Sequence, residues 1–318
     1  MSTPSGLVIV DKPGGMTSHD VVARIRRLAG TRRVGHAGTL DPMATGVLVV
    51  GVEKATRLLG YLTLTEKEYA ATIRLGQSTS TDDAEGEFTS AALTSVAPAA
   101  DVSAETLAAE VNRLTGEIWQ VPPAVSAVKV DGQRAYRLTR AGAAPELKPR
   151  PVTVYEFTIT AVRRDGDLMD VDATVRCSSG TYIRALARDL GAALGTGGHL
   201  TCLRRTRVGG YRIETARTLK QLAEHFEVVP LARAAAAAFP RRDLSADEAR
   251  RLAHGGRLAA QAASTAQAAS TAQAESTAQA APAAATADHP TAAFAPDGSL
   301  VALLAEQDGQ ARPLVVFA

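Results

Sequence analysis

Several features common in secreted and membrane-bound proteins are scarce or missing in this chain of 318 residues. It has only two cysteines, Cys177 and Cys202, too few for a disulfide framework or for a zinc site built on thiolates. No apolar run approaches the roughly 20 residues that a membrane-spanning helix needs. The first residues show no basic segment followed by an apolar one. These absences predict a cytoplasmic protein without a membrane partner.

Positive charge is not abundant, since the formal net charge is only +2, but it is concentrated in two short segments. Residues 21–40 hold five arginines and no acid, and residues 203–211 hold Arg204, Arg205 and Arg207, also without an acid. Local basic patches can bind a polyanion such as RNA even when the whole chain is near neutral. The alternative is that each patch is an ordinary solvated surface.

The N-terminal segment contains clear signals for a strand, a helix and a loop. Residues 7–10 form an apolar run that ends in a Pro-Gly turn, which predicts a buried strand. Thr17 and Asp20 have the spacing of a capping box and Gly30 is a helix stop, so a helix is predicted between them. Residues 31–45 are interpreted as a loop rich in Gly and Arg.

The following segments mix strand and helix patterns without a regular repeat. Strands are predicted at residues 46–52, 68–75, 152–162 and 168–176, and helices at residues 54–62, 104–115 and 181–194. Because strands and helices do not alternate as βαβ units, the sequence favours an α+β fold over a doubly wound sheet.

The composition changes past about residue 240. A six-residue Ala/Ser/Thr/Gln unit recurs from Ser264 and has no large apolar side chain, so residues 260–288 are predicted to be a disordered low-complexity insertion. Residues 300–317 have two strand patterns around an Asp-Gly turn. We therefore predict a large domain over residues 1–235 and a small β-rich C-terminal domain over residues 236–318, which the insertion interrupts.

Asp41 is the first candidate for chemistry. It lies at the end of the Gly/Arg-rich loop, near His36, and precedes Pro42. An aspartate before a proline is common in turns, so a structural turn is one interpretation. A carboxylate on an Arg-rich surface would repel RNA phosphates, however, and catalysis is one reason for placing it there. The residues alone leave both interpretations open.

Ordered blocks over about 200 residues resemble the TruB family of tRNA pseudouridine-55 synthases. The blocks are residues 6–13, 17–18, 35–48, 67–69, 75–82, 122–129, 150–155, 177–184 and 203–207. The resemblance implies a pseudouridine-synthase core with a mixed, largely antiparallel sheet flanked by helices and loops, followed by a PUA-like C-terminal domain. It also implies a substrate, the T-arm stem-loop of tRNA, with no cofactor, no metal and no obligatory protein partner, and a monomer.

The reaction implied by the resemblance is the isomerisation of a T-arm uridine to pseudouridine. The base flips out of the RNA, the C1′–N1 bond breaks in an aspartate-dependent step, and C1′ is joined to C5. Asp41 matches the catalytic aspartate and would act as nucleophile or as base at the ribose. Tyr69 would stack on the flipped base and assist proton removal at C5, and Arg184 would pair with the catalytic carboxylate.

Each of these positions also has a plain structural interpretation. Tyr69 fits an aromatic residue of a strand in the core, and Arg184 fits a surface arginine of a helix. Leu203 matches an apolar wall of the base pocket, but a buried leucine needs no functional explanation. His36 matches a histidine associated with base flipping, although a loop-stabilising histidine is an alternative.

Four further residues are weaker candidates for substrate contact: Tyr182, Lys12, Lys129 and Arg134. Lys12 is also a candidate for bracing the loop of Asp41. Lys129 and Arg134 belong to a basic segment, about residues 120–150, that resembles the RNA-gripping thumb of the family. The family's frequent Ser-Lys-Gly is Ser178-Ser179-Gly180 here, which predicts weaker phosphate contact at this point.

Two other functions compete with this one. A guide-RNA-dependent synthase of the dyskerin type shares the aspartate loop, and it would require partner proteins and a guide RNA. A non-catalytic RNA-binding module would need the basic patches but not Asp41.

Overall fold

The fold was analysed in a computed structural model that describes residues 5–89, 98–126, 128–130, 133–134, 146–260, 286–287 and 289–317, without the side chains of residues 129, 130, 133 and 134. Nearly all of the insertion predicted at residues 260–288 therefore lies outside the described residues. The same holds for most of the thumb segment between residues 127 and 145.

In the described part of the chain, strands form a large sheet of eleven strands, a second sheet of five, and a separate hairpin. The large sheet contains β1 (Gly6–Lys12), β2 (Val34–Ala37), β3 (Thr45–Val52), β4 (Lys67–Leu75), β5 (Gly116–Gln120), β8 (Arg150–Asp165), β9 (Leu168–Cys177), β10 (Gly198–Val208), β11 (Tyr211–Arg212), β12 (Arg217–Thr218) and β13 (Val229–Pro230). The hairpin is β6 (Lys129–Val130) with β7 (Gln133–Arg134). The second sheet contains β14 (Arg241–Asp243), β15 (Leu258–Ala259), β16 (Thr291–Phe294), β17 (Leu300–Gln307) and β18 (Gln310–Val316).

Helices pack against both sheets. They are α1 (Ser18–Ala29), α2 (Leu59–Thr63), α3 (Ala104–Arg113), α4 (Ile183–Ala193), α5 (Leu219–Glu224), α6 (Leu231–Ala238) and α7 (Ala246–Ala253), with short 3-10 helices at Glu53–Leu58, Ala99–Asp101 and Ile213–Thr215. Among the described residues, no helix has both the length and the apolar character that crossing a membrane requires.

The large sheet is mixed but mostly antiparallel. Its main path runs β12-β1-β3-β10-β4-β9-β8-β5, and along it only β1–β12 and β3–β10 are parallel within the described chain. This confirms the predicted fold class, an α+β protein with a mixed, largely antiparallel sheet and a β-rich C-terminal part.

Local sequence signals explain several of these elements. The predicted capping box is present at the start of α1, where Thr17 and Asp20 each bond the backbone of the other, and Gly30 ends the helix with φ 64°. Buried and half-buried residues alternate along β4, as expected for a strand with only one fully buried face.

The loop predicted for residues 31–45 is wrong in part, because it contains β2. This short strand pairs with β3 along its whole length, with Gly35 opposite Gly51. Gly35 and His36, the two central and half-exposed residues of β2, are not typical strand formers, so the pairing of β2 with the apolar β3 determines the structure. The helix predicted at residues 54–62 is present, but its first part, Glu53–Leu58, is a 3-10 helix.

The two sheets share a hydrophobic core. Leu7 and Val49 of the large sheet are fully buried in the same cluster as Phe294 and Leu303 of the second sheet. Phe317, near the end of the chain, also joins this cluster, and its backbone oxygen accepts a hydrogen bond of 2.8 Å from Nζ of Lys54. The C-terminal sheet is therefore packed against the sheet that positions the candidate site.

Candidate active site

Asp41 and Arg184 form the centre of the candidate site. Nη2 of Arg184 donates to Oδ1 of Asp41 at 3.1 Å, and Nε lies 3.0 Å from Oδ2. The guanidinium is buried, whereas the Asp41 side chain is 35% exposed. The structure thus pairs the two residues that the resemblance assigned to each other, and it leaves the carboxylate accessible to a ligand.

Arg184 is itself fixed from several sides. It is the second residue of α4, and it donates to the backbone oxygens of Thr81 at 2.8 Å and Val125 at 2.9 Å. Its Nε also lies 3.5 Å from Oδ2 of Asp83, a buried carboxylate. Because Arg184 serves two carboxylates and two carbonyls, its orientation does not depend on Asp41 alone.

The loop that carries Asp41 is held by its backbone. Oγ of Ser18, at the start of α1, accepts from the Leu40 amide at 2.9 Å and donates to the Leu40 oxygen at 3.1 Å. Nζ of Lys12 donates to the Pro42 oxygen at 3.1 Å, and that oxygen also accepts from the Gly15 amide. The residues on both sides of Asp41 are therefore fixed.

Arg205 completes this support from β10. It is fully buried and donates to the oxygens of Gly38 at 3.0 Å and Val47 at 2.8 Å. The backbone of Arg205 can lie close to β3 because its partner in the parallel β3–β10 ladder is Gly46. A Cβ added at Gly46 would lie 2.2 Å from the Arg205 oxygen. Sequence reasoning placed Arg205 in a basic patch, and the structure uses it as an internal brace.

A cavity of about 560 Å³ lies beside Asp41. Among the described residues it is lined by Thr17, Ser18, His19, Gly38, Thr39, Leu40, Asp41, Pro42, Thr63, Lys67, Tyr69, Val125, Ser126, Ser179, Gly180, Thr181, Tyr182, Ile183, Arg184, Leu203 and Arg205. Tyr69, Leu203 and Tyr182 are therefore brought to one cavity with Asp41 and Arg184. Of the predicted residues, His36 and Lys12 do not line it in the described structure.

Tyr69 lies on β4 directly opposite Arg205 of β10. Burial raises the pKa of its phenol, against the opposing effect of the Arg205 guanidinium nearby. Burial likewise raises the pKa of Tyr182, whose backbone is held by Gln120 through two hydrogen bonds. Both phenols are neutral at neutral pH, so each presents a ring and a hydroxyl group rather than a charge.

His36 lies on β2, behind the cavity wall. Its ring meets the ring of His19 edge-on at 5.6 Å between centroids, and its buried Nδ1 has no hydrogen-bond partner among the described residues. Burial, reinforced by His19 and Arg205, lowers the pKa of His36 to about 4. His36 is neutral, and the cavity-facing member of this pair is His19.

Lys12 does not fit the expectation of direct substrate contact. It is fully buried, and its Nζ donates to the oxygens of Pro13, Met16 and Pro42, which uses all three of its donors. These contacts agree with the alternative role, bracing the loop of Asp41. Lys129 and Arg134 face each other in the β6–β7 hairpin, but their side chains lie outside the described part of the chain.

The basic patch at residues 203–211 is neutralised. Arg204 pairs with Asp11 at 2.8 Å and Arg207 with Glu68 at 3.3 Å, while Arg205 is buried. The patch at residues 21–40 differs, because Arg24 and Arg27 are exposed on α1. The second patch is therefore neither a solvated surface nor an RNA contact made by three free cations, since Arg205 is buried and Arg204 and Arg207 are paired. Arg24 and Arg27 of the first patch are on the surface.

Sequence reasoning missed Asp83, Ser18 and Lys67. Lys67 could have been found, since it is two residues before Tyr69 on an alternating strand and so shares its face. Ser18 lies in block 17–18 of the family resemblance but was given no role there. Asp83 had no such signal, because it reaches the site only through the tertiary fold.

The chain has the same fold as several solved structures. It superposes on a chain of a crystal structure titled as a Cbf5-Nop10-Gar1 complex with a TM-score of 0.70 and 27% identity, covering 100% of this chain and 85% of the other. For a chain of an archaeal box H/ACA sRNP Nop10-Cbf5 complex the TM-score is 0.66 at 25% identity, with 99% and 86% covered. The fold is thus that of the Cbf5 chains.

Among proteins with this fold, sequence similarity assigns the chain to one family. Residues 26–183 match the N-terminal domain model of the TruB family pseudouridylate synthases, and residues 184–236 and 279–318 match two C-terminal models of tRNA pseudouridine synthases. Proteins named tRNA pseudouridine synthase B are 61% identical in Thermobifida fusca, over 98% of both chains, and 60% in an Arthrobacter species, over 99% and 97%. The chain belongs to the TruB family of pseudouridylate synthases.

Proposed function

We propose that this protein is a tRNA pseudouridine-55 synthase, which isomerises a uridine of the T-arm to pseudouridine. The observation behind the proposal is the Asp41–Arg184 pair beside a cavity that Tyr69 and Leu203 line. The names of the bacterial relatives support the choice of tRNA as substrate.

In this proposal the flipped uridine enters the cavity with its ribose toward Asp41. Arg184 holds the carboxylate ionised and oriented, and the exposed part of Asp41 meets the ribose or the base. Leu203 gives an apolar wall and Tyr69 a ring on which the base stacks. Burial raises the pKa of Tyr69, so its hydroxyl is protonated at neutral pH and the residue offers the base a neutral ring and a hydroxyl group.

The proposal extends to partners and organisation. The protein acts alone on the T-arm stem-loop, as a monomer in the cytoplasm, with the thumb segment gripping the RNA backbone through residues such as Lys129 and Arg134. Residues 1–235 form the catalytic domain, and residues 236–318 form the C-terminal domain.

The direct test uses purified protein and an unmodified tRNA transcript labelled with tritium at C5 of uridine, because joining C1′ to C5 displaces that hydrogen. Wild type should release tritium. Asp41→Asn should release none, while its affinity for tRNA stays within about tenfold, or ~1.4 kcal/mol. Turnover by Asp41→Asn would refute the assignment, and binding without turnover by wild type would favour the non-catalytic module.

A guide-dependent reaction is the second candidate, since the superposition on Cbf5 chains covers the whole protein. The same assay separates the two functions. Activity without any added RNA guide or protein supports the standalone enzyme, and strict dependence on a guide RNA would overturn it.

A further inference from the structure

The cavity wall holds more positive charge than Asp41 requires. Its charged lining residues, within the described chain, are the carboxylate of Asp41 and the cations of Lys67, Arg184 and Arg205. Arg184 is already paired with Asp41 and with Asp83. Lys67 and Arg205 have no carboxylate partner among the described residues, so this wall has an excess of positive charge.

Lys67 and Lys12 are both buried, but Lys67 makes fewer hydrogen bonds. Its Nζ donates to the oxygens of Thr63 and Thr65, and no third acceptor is present in the described structure. An ammonium group has three donors, and Lys12 uses all of its own on three carbonyls. Lys67 is 5% exposed and still lines the cavity, so its remaining N–H is directed toward a ligand there or is left without a partner.

The neighbouring backbone leaves room on this side. Gly38, which precedes Asp41 by three residues, has φ 76°, and a Cβ at that position would lie 3.5 Å from Nη1 of Arg205 and 3.9 Å from Cε of Lys67. The two cations therefore lie together beside the loop of Asp41, next to the Tyr69 ring.

In the proposed reaction, a nearby positive charge would stabilise the base when the C1′–N1 bond breaks. When the C1′–N1 bond breaks, N1 keeps the electron pair, and the uracil becomes an anion whose charge is shared with O2 and O4. An electron pair of the base then forms the C1′–C5 bond, C5 loses its proton and N1 gains one, so the product is an isomer of uridine. This charge develops whichever atom Asp41 engages.

We propose that Lys67 is a catalytic residue: its ammonium group contacts a carbonyl oxygen of the flipped uracil and stabilises the negative charge that the base acquires when the glycosidic bond breaks. The assignment rests on the proposed function. A cation fixed in a water-poor cavity stabilises a developing anion more than it would in water, because its dipolar surroundings need not reorganise. Arg205 adds a second positive charge near Lys67 and remains hydrogen-bonded to the loop of Asp41.

The ionisation of Lys67 allows a second test of the proposal, through the pH dependence of the rate. Burial, with a smaller contribution from Arg205, lowers the pKa of Lys67 to about 8. Cys177 on β9 and Tyr69 on β4 add no charge, since burial raises the pKa of Cys177 to about 11 and also raises the pKa of Tyr69. In the described part of the chain, the charged groups that share the cavity wall with Lys67 are Asp41, Arg184 and Arg205. Lys67 is therefore charged below about pH 8 and loses its charge above it.

The decisive experiment compares leaving groups. Lys67→Met keeps most of the length and the apolar stem of the side chain but removes the charge. Single-turnover rates of C1′–N1 cleavage are measured on T-arm RNA with uridine or 5-fluorouridine at the target position, as loss of the parent nucleoside after digestion, because fluorine at C5 leaves no proton to release. We expect a fall of about 100-fold with uridine and Kd for RNA within about threefold. With 5-fluorouridine the defect should be at least tenfold smaller, because fluorine already stabilises the departing anion.

Two outcomes would overturn the proposal. An equal defect on both RNAs would show that Lys67 only braces the Thr63–Thr65 turn, and weaker binding with an unchanged rate at saturation would indicate a phosphate contact. Lys220→Met, exposed on α5, is the matched control and should change nothing. Inactivity of wild type itself would instead refute the proposed function.

Lys67→Arg tests the proposal without removing charge. The wild-type rate should fall as pH rises through about 8, and this alkaline fall should move to higher pH in Lys67→Arg, since arginine stays protonated. Because burial also lowers the pKa of Lys12 to about 8, Lys12→Arg is measured in parallel. An alkaline fall that moves to higher pH in Lys12→Arg but not in Lys67→Arg would refute the assignment of Lys67.

Discussion

Arg184 holds two carboxylates that differ sharply in exposure. Asp41 is partly open to the cavity, whereas the Asp83 side chain is only 4% exposed. The Asp83 carboxylate accepts hydrogen bonds from the Thr81 hydroxyl and the Glu85 amide. A buried carboxylate is costly unless it is paired. Arg184 thus stabilises the fold through Asp83 and orients the reactive group through Asp41, so that a single substitution affects both.

Replacing Arg184 with lysine should separate charge from geometry. Lysine keeps the positive charge but cannot span both oxygens of Asp41 while also reaching Asp83. We expect Arg184→Lys to lower turnover by about 100-fold or more and to reduce the free energy of unfolding by ~1–3 kcal/mol. Tritium release and urea denaturation measure the two effects.

Arg188→Lys is the matched control for this prediction. Arg188 is one turn further along α4 and pairs with Asp82 at 3.1 Å, but it does not line the cavity in the described structure. Similar losses of turnover in the two variants would mean that α4 is sensitive to any such change, and that the bidentate pairing of Arg184 has no special role.

His36 makes stability depend on pH. Its pKa is lowered from 6.5 to about 4 in the folded protein, so the unfolded chain takes up a proton more readily. The free energy of unfolding should therefore fall as pH decreases from about 6.5 toward about 4. His36→Gln should lose less stability between pH 7 and pH 5 than wild type does in urea titrations, and an equal loss would contradict this.

The family resemblance predicted part of this site, and residue spacing could have added to it. Asp41, Tyr69, Arg184 and Leu203 were found through the family resemblance, and the structure brings all four to one cavity. Arg205 is two residues after Leu203 on one strand, so it shares a face with it, but three nearby arginines suggested a surface patch instead. The burial of Arg205 depends on its hydrogen bonds to the backbone oxygens of Gly38, Thr39 and Val47, which no spacing reveals.

At the scale of elements, the loop of Asp41 depends on the start of α1. Ser18→Ala removes both hydrogen bonds between the Ser18 hydroxyl and Leu40. The buried amide and carbonyl of Leu40 then lose this partner. We expect a loss of ~1–3 kcal/mol in the free energy of unfolding. Turnover should fall by about tenfold or more, since the carboxylate is less well positioned. Urea denaturation and tritium release are the measurements.

Ser103→Ala is the control for Ser18→Ala. Ser103 caps α3 through the Thr106 amide and is exposed, so its loss should cost about 1 kcal/mol without changing turnover. If both variants retain wild-type turnover, the Ser18 bonds stabilise the fold but do not position Asp41.

Element prediction succeeded where the local pattern agrees with the tertiary fold. The capping box and Gly30 bound α1, and alternation marks β4. It failed for β2, whose four residues have no strand signal and are ordered by pairing with β3. Short strands of this kind are determined by their neighbours rather than by their own side chains.

At the scale of the whole molecule, the shared core makes the two sheets interdependent. Phe317 is 3% exposed, lies under the Arg57 guanidinium at 5.5 Å and contacts the core of β1 and β3. Phe317→Ala should cost ~3–5 kcal/mol. Native-state hydrogen exchange should quicken by the same factor at the slowest amides of β3 and β17, and quickening in β17 alone would show that the sheets unfold separately.

The hydrogen bonds around Asp41 also bear on protein engineering. The short turn before Pro42 is held by a lysine at the end of β1, a serine at the start of α1 and an arginine on β10, which belong to three different elements, and the arginine lies far from the other two in the chain. The reactive geometry is consequently not stored in the turn itself. Grafting residues 35–46 onto another scaffold would transfer the carboxylate without its position, unless donors matching those three side chains were transferred too.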